Sequence, residues 1–252
     1  MYCGVLYMKN KYTFKGVNGF IIHGLVNFVL ILIVLTTVIG CGFCLYDDVV
    51  SVNKTYNGVI YAGNEKSDKI ALMINVYWGT EYLEEMLNIL DKYDAKATFF
   101  VGTTWVEDNP DILVDIYNRG HEIGNHGSNH KEHGKLGYNL NLKEIDDCSN
   151  VVLRTISYKM NLFAPPGGSY NSDTIKAAEN LGYKTILWTK DTIDWRDQNE
   201  QLIFDRATKN LNSGDLILMH PTNATKNVLE RVLEYIKSKN LMPDTVSNTI
   251  KE

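Results

Sequence analysis

The chain lacks an excess of basic charge: 25 Lys and Arg stand against 30 Asp and Glu, for a net charge of −5 and a pI near 5.7. Without a domain-wide positive field nothing neutralises a phosphate backbone, which excludes nucleic acid as a partner; an uncharged carbohydrate stays compatible. Cysteine is scarce as well. Cys3, Cys41, Cys44 and Cys148 are too few and too unevenly placed for a disulfide framework, and only Cys148 lies in the globular part, where it reads as a small buried hydrophobe. Residues 1–19 carry Lys9, Lys11 and Lys15 but no acid, and residues 20–46 contain no Asp, Glu, Lys or Arg.

That charge-free stretch centres on Phe28 to Leu35, and roughly 20 such residues suffice to span a bilayer. Lysines before it and Asp47-Asp48 after it leave the bulk of the chain outside the cytoplasm by the positive-inside rule. The expected organisation is therefore a cytoplasmic segment 1–19, a transmembrane signal anchor 20–46, a polar linker 47–68 and a folded domain 69–252, single-pass in the cell membrane. Val38-Ile39-Gly40-Cys41 resembles a lipobox, so a lipoprotein anchored at Cys41 is the alternative, and cleavage to a secreted form is the third outcome. All three deliver the domain to the same side.

From Lys69 strand-like and helix-like segments alternate. Ile70 to Val76, Ala97 to Val101, His121 to Gly124, Asn161 to Phe163, Tyr183 to Trp188, Leu216 to Met219 and Thr245 to Ser247 read as strands, separated by amphipathic stretches such as Thr80 to Tyr93 and Thr225 to Lys239. Repeated units of this length predict a parallel sheet closed into a distorted (β/α) TIM-like barrel of about seven strands. In such a barrel the functional residues sit where strands end. Asn75, the histidine loop, Ala164-Pro165-Pro166, Asp191 with Asp194-Trp195, and His220 all fall at those positions. The loop from Gly120 to His133 holds four of the six histidines, with His126 and His130 as an H-x-x-x-H pair among Gly, Asn and Ser. Read alone, it is either a metal site or a polar surface loop; its place on the rim favours the metal.

Several stretches in the right order resemble the polysaccharide deacetylase, or NodB-homology, domain of carbohydrate esterase family four. They are Ala95 to Val101, Gly120 to His126, Leu162 to Pro166, Leu181 to Trp188, Asp191 to Trp195 and Leu216 to His220. The resemblance implies metal-dependent removal of N-acetyl groups from a glycan such as peptidoglycan. It implies a divalent metal, Zn²⁺ foremost, on His126 and His130; His220 as the acid that protonates the leaving amine; and Asp194, or else Asp191, as the partner of that histidine. It also implies substrate contacts from Pro165, Pro166, Gly167 and Tyr170, and Trp195 as a sugar-stacking platform.

The chain departs from the family at three positions. Asn75 stands where the family has its basic Asp, Val76 where it has the metal-binding Asp, and Ala164 where an Arg holds the base. A carboxamide has no useful basicity and an isopropyl group coordinates nothing. Two accounts follow. In one the site is rebuilt, with His133 as third ligand and Glu81 or Glu122 as base. In the other the domain is a catalytically impaired carbohydrate-binding module. A hydrolase of some other amide or ester is a third class, since fold does not fix substrate.

Overall fold

The computed structural model describes residues 27–33 and 55–251. They belong to two units, 1–53 and 54–252. In the first, α1 (27–33) is helical and exposed. The rest of the expected membrane segment 20–46 lies outside the described residues, and among those described no helix is long and apolar enough to cross a membrane.

The second unit begins earlier than Lys69. Residues of the expected linker form β1 (Thr55–Tyr56) and β2 (Val59–Ile60), an antiparallel pair whose second strand lies parallel to β7 (Lys184–Ile186). Asn57 and Gly58, both with positive φ, make the two-residue turn between them. The long central strand is β3 (Lys69–Val76). Its side chains are apolar on both faces because both faces are covered, as parallel sheets require. Then come α2 (Leu83–Lys92), β4 (Thr98–Val101), α3 (Thr103–Asp108), α4 (Pro110–Asn118), β5 (Glu122–Asn125), α5 (Tyr138–Ile156), β6 (Leu162–Phe163) and α6 (Ser172–Asn180). After β7 follow β8 (Lys190–Asp191), α7 (Glu200–Thr208), β9 (Leu216–Met219), α8 (Asn223–Ser238), β10 (Met242–Asp244) and α9 (Val246–Thr249).

Local chemistry sets the helix ends. Pro110 starts α4, where its missing N–H costs nothing. Asn171 and Thr174 form a reciprocal capping box on α6. α2 buries Leu83, Met86, Leu87 and Leu90, the helical spacing of one face.

The sheet runs β1-β2-β7-β6-β5-β4-β3-β9-β8, with β10 added on β3. Among the described residues this path stays open rather than closing, so the architecture is a parallel half-barrel of more strands than the seven expected. Thr245 to Ser247, expected as a strand, instead cap and begin α9, Thr245 accepting from Asn248 N–H. Alternate residues of β3 feed two cores: Ile70, Leu72 and Ile74 face the helices, whereas Ala71 and Met73 join Phe100, Leu162, Ala164, Ile186, Leu216 and Val246 inside the barrel.

Register decides what the rim presents. Val76, Val101, Asn125 and Phe163 are successive partners across β3, β4, β5 and β6, so Tyr77, His126 and Ala164 leave their strands at one level. Ile74 pairs with Met219, which brings His220 level with Asn75.

Candidate active site

A cleft of about 520 Å³ opens at this rim, lined by Asn75, Tyr77, Trp78, His126, His130, Gly167, Trp188, Asp191, Trp195, Leu218 and His220. Its volume lies in the range of about 300–1,000 Å³ usual for ligand pockets.

The acid corner is tightly built. The fully buried Asp194 takes a hydrogen bond from His220 Nδ1 at 2.8 Å through one oxygen, and from His220 N–H at 2.7 Å and Thr225 Oγ1 at 2.6 Å through the other. With Nδ1–H committed to the carboxylate, Nε2 is the ring nitrogen left to exchange a proton with a ligand. Asp194 is thus the histidine's partner. Asp191 lines the cleft, with Oδ1 accepting from Ile193 N–H at 2.8 Å. Ile193 has φ +53, a strained value for a β-branched residue directly before Asp194. Arg206 holds this loop by donating to Thr192 O at 2.9 Å and Asp197 Oδ2 at 2.7 Å.

The histidine corner is differently organised. His126 is buried, and its Nδ1 donates to Ala164 O at 2.7 Å, fixing the tautomer and freeing Nε2 as an acceptor. Burial, then the His130 charge, pushes its pKa down to about 3, so the ring is neutral. His130 is exposed, sits at φ +51 and has its ring centroid 5.2 Å from that of His126. Partial desolvation of its ring against the rim and then the His220 charge lower its pKa too.

His133 does not join them. It is fully buried, Nδ1 donates to Asn141 Oδ1 at 2.7 Å, and Nε2 lies unpartnered against Gly127, where a Cβ would come within 2.8 Å of it. Among the described residues no three His, Cys, Asp or Glu side chains gather to hold a metal ion. Val76, expected at the position of the missing ligand, is instead fully buried in the core between sheet and helices and does not line the cleft, whereas Tyr77 and Trp78 do. The residues present therefore do not fit a divalent ion held by three protein ligands.

Neither proposed substitute base reaches the cleft lining. Glu122 starts β5, at the opposite end of the barrel, where it accepts from Thr98 Oγ1 at 2.7 Å and from Ser247 N–H at 3.1 Å to dock α9. Glu81 is exposed in the turn Thr80–Tyr82. Asn75 does line the cleft, but its Oδ1 is buried without a partner. Of the expected substrate contacts, Trp195 and Gly167 line the cleft. Pro165 and Pro166 are buried in the turn after β6, and Tyr170 instead hydrogen-bonds Tyr61 through the two hydroxyls at 2.7 Å.

The sequence reading missed three features. Tyr77 and Trp78 follow Val76 directly and each packs on a histidine: Tyr77 on His130 at 4.9 Å between centroids, and Trp78 parallel to His220 at 5.9 Å. Their position at a strand end was the available signal. Gly79, at φ +79, lets this turn approach Pro221, whose O would lie 1.9 Å from a Cβ. Glu144 was hidden inside a helix, although a carboxylate in the buried stripe of Asn141, Ile145, Cys148 and Val152 stands out. It clamps the histidine loop, accepting from Asn129 N–H at 2.8 Å and Asn129 Nδ2 at 3.0 Å and pairing with Lys131 at 2.7 Å.

An open parallel half-barrel with a histidine pair and an Asp-His dyad on its carboxyl rim defines an α/β protein with one polar, aromatic-lined cleft where strands end. Comparison with known proteins narrows it. Residues 62–186 match the family described as polysaccharide deacetylase. The protein YlxY of Bacillus subtilis (strain 168) is 39% identical over 193 residues, covering 77% of this chain and 60% of that protein. A peptidoglycan-N-acetylglucosamine deacetylase of Bacillus cereus is 31% identical over 176 residues, 68% of this chain and 82% of that enzyme. Among solved structures, BA3943 of Bacillus anthracis, described as a CE4 family pseudoenzyme, superposes with a TM-score of 0.76 at 31% identity, covering 79% of this chain and 70% of that one; a mutant of it is described as having restored enzymatic activity. The chain belongs to the polysaccharide deacetylase family.

Proposed function

We propose that this domain binds an N-acetylated cell-wall polysaccharide, peptidoglycan foremost, in the cleft between the histidine pair and His220, and that its power to hydrolyse the acetamido group is reduced by orders of magnitude. The observation that carries this is the asymmetry of the cleft. Deacetylation needs a base to take a proton from attacking water and an acid to protonate the departing amine. His220, held by Asp194 at 2.8 Å, supplies the second. No group in the lining supplies the first on the histidine-pair side: Asn75 is a carboxamide, and Asp191, the one carboxylate in the lining, ends β8, beside the strand that leads to His220 and four strands along the sheet from β5, which leads to His126. Loss of a general base costs on the order of 10²–10⁴ in rate.

The B. cereus relative is a peptidoglycan-N-acetylglucosamine deacetylase, which supports a glycan ligand, and the description of BA3943 as a pseudoenzyme supports weak turnover. The metal-dependent deacetylation implied by the family would need a third ligand grouped with His126 and His130, and among the described residues no such group of three gathers. The reading places the domain outside the cytoplasm, where peptidoglycan lies, and the apolar stretch 20–46, with lysines before it and Asp47-Asp48 after it, supports that placement.

The test is to incubate the purified full chain with peptidoglycan and with N-acetylglucosamine oligomers, measuring binding and acetate release together. Binding with acetate release at least about 10²-fold below that of the B. cereus enzyme is expected, and His220→Ala should remove the residue of activity. Release at a comparable rate would overturn the impaired-site reading. Absence of binding to any glycan would overturn the ligand assignment.

A further inference from the structure

We propose that Tyr77 and Trp78 form a pyranose-stacking subsite that binds an uncharged glycan without a metal ion, Trp78 offering its ring to a sugar face beside the fixed edge of His220. The inference rests on the glycan reading above and names how the cleft achieves it.

Tyr77 and Trp78 follow directly on the end of β3 and line the cleft together with Asn75. The two rings divide between the two sides of the cleft. Tyr77 packs on His130 and reaches it across Gly102, where a Cβ would lie 2.8 Å from Tyr77 Cδ2. Trp78 lies parallel to His220, within 5°. Trp78 thus lies along the face of His220, whose Nδ1 is held by Asp194, while Tyr77 meets His130 at a tilt of 39°.

The aromatic surface is also unusually open. Trp78 is 44% exposed and Trp195 53% exposed, both lining one cleft and both adjoining His220, one by stacking and the other through Asp194. A large apolar ring left in water at a concave site marks a surface that a ligand covers. The chemistry of that ligand follows from the rest of the lining. No Lys or Arg lines the cleft, and Asp191 is its one carboxylate, so an anionic ligand is disfavoured. Imidazole, carboxamide and carboxylate edges beside flat aromatic faces suit a sugar, whose ring presents C–H faces and whose hydroxyl and acetamido groups present donors and acceptors at the rim.

The experiment is a calorimetric titration of the full chain with β-1,4-linked N-acetylglucosamine tetramer to hexamer, in EDTA and again with added Zn²⁺. It compares the wild type with Trp78→Ala, Trp78→Leu, Trp78→Phe, Tyr77→Ala and Trp195→Ala, each checked for a retained unfolding midpoint. The expected result is wild-type affinity that agrees within about twofold in EDTA and Zn²⁺. Trp78→Ala and Trp78→Leu should bind at least tenfold more weakly, about 1.4 kcal/mol, with Trp78→Phe within about threefold of the wild type. Leu keeps apolar bulk without a flat face, so it keeps the test decisive if the alanine variant does not fold. Binding weakened by Trp195→Ala but unchanged in both Trp78→Ala and Trp78→Leu would overturn the platform and leave the glycan reading standing. Binding seen only with Zn²⁺ would overturn its metal independence. No binding by the wild type would overturn the glycan reading and the platform with it.

Discussion

Replacing Glu144 tests whether the histidine loop is positioned from below by a buried carboxylate. The Glu144 side chain is 4% exposed, and its two oxygens take two hydrogen bonds from Asn129 and an ion pair from Lys131, on both sides of His130. Hydrogen bonds to an ionised group contribute about 1.5–3 kcal/mol each, and an amide left unpaired costs about 1–3 kcal/mol. The Lys131 side chain is 49% exposed, so its share is discounted for solvent screening. Because these terms overlap, Glu144→Ala is expected to cost about 2–4 kcal/mol. For a domain of this size each kcal/mol moves the midpoint by about 2–4 °C, giving a drop of about 4–16 °C. Burial works to raise the Glu144 pKa, but hydrogen bonds from Lys131 and Asn129 outweigh it and leave the pKa below the usual value. A depressed folded pKa means the carboxylate's contribution is complete above the unfolded value of about 4.3 and disappears as pH falls through the folded value. Thermal unfolding of wild type and Glu144→Gln between pH 7 and pH 3 should therefore show a gap that closes at the acid end. Amide exchange at Asn129 should accelerate in the same variant. A gap that persists unchanged at pH 3, or an Ala variant within about 0.5 kcal/mol of wild type, would refute the clamp.

Other outcomes follow from the same geometry. Asp194→Ala leaves three donors from His220 and Thr225 without their acceptor; a loss of about 3–5 kcal/mol is expected in denaturant unfolding, and a loss under about 1 kcal/mol would contradict the buried network. His121 is buried and its pKa is pushed down to about 4, chiefly by burial and then by Lys96. Its neutral form is favoured in the fold, so stability falls as pH drops from about 6.5 toward the folded value, by on the order of 3 kcal/mol; His121→Phe should flatten that part of the stability-pH curve. Asn75→Asp with Tyr77→Asp places two carboxylates in the cleft that His126 and His130 line. In EDTA this variant should unfold at lower temperature than wild type, and a divalent ion at about 100 times its Kd should return about 2.7 kcal/mol, read as a midpoint shift absent from the wild type. Gly79→Ala puts a Cβ 1.9 Å from Pro221 O at a positive φ and should lower the midpoint by more than a surface substitution does.

Much of the site was legible because it is written in short local strings. The alternation of apolar strands and amphipathic helices specified parallel α/β architecture, and strand ends specified the rim on which His126, Asp191, Asp194 and His220 meet. Counting along the first strand put Asn75 on the rim, where it lines the cleft, but it also put Val76 there, whose side chain packs toward the helices instead. Other expectations failed where distant segments decide. Glu122 looked close to the histidine loop in sequence, but a strand carries its two ends to opposite faces of the barrel. His133 sits three residues from His130, yet Asn141 on α5 turns its ring inward. The segment expected as a linker became sheet because β7 offered β2 a parallel edge.

The sequence alone determined the parallel α/β class and the rim, because hydrophobic periodicity and residue chemistry are properties of neighbours in the chain; that the sheet stays open among the described residues came only from tertiary structure. Which side chains touch across the cleft was decided by tertiary structure. Register sets Asn75 level with His220 and Tyr77 level with His126, and the path of each turn then chooses the ring that each residue faces. Tyr77 and Trp78 read as two aromatics after a strand; only the packed rim turns one onto His130 and the other onto His220.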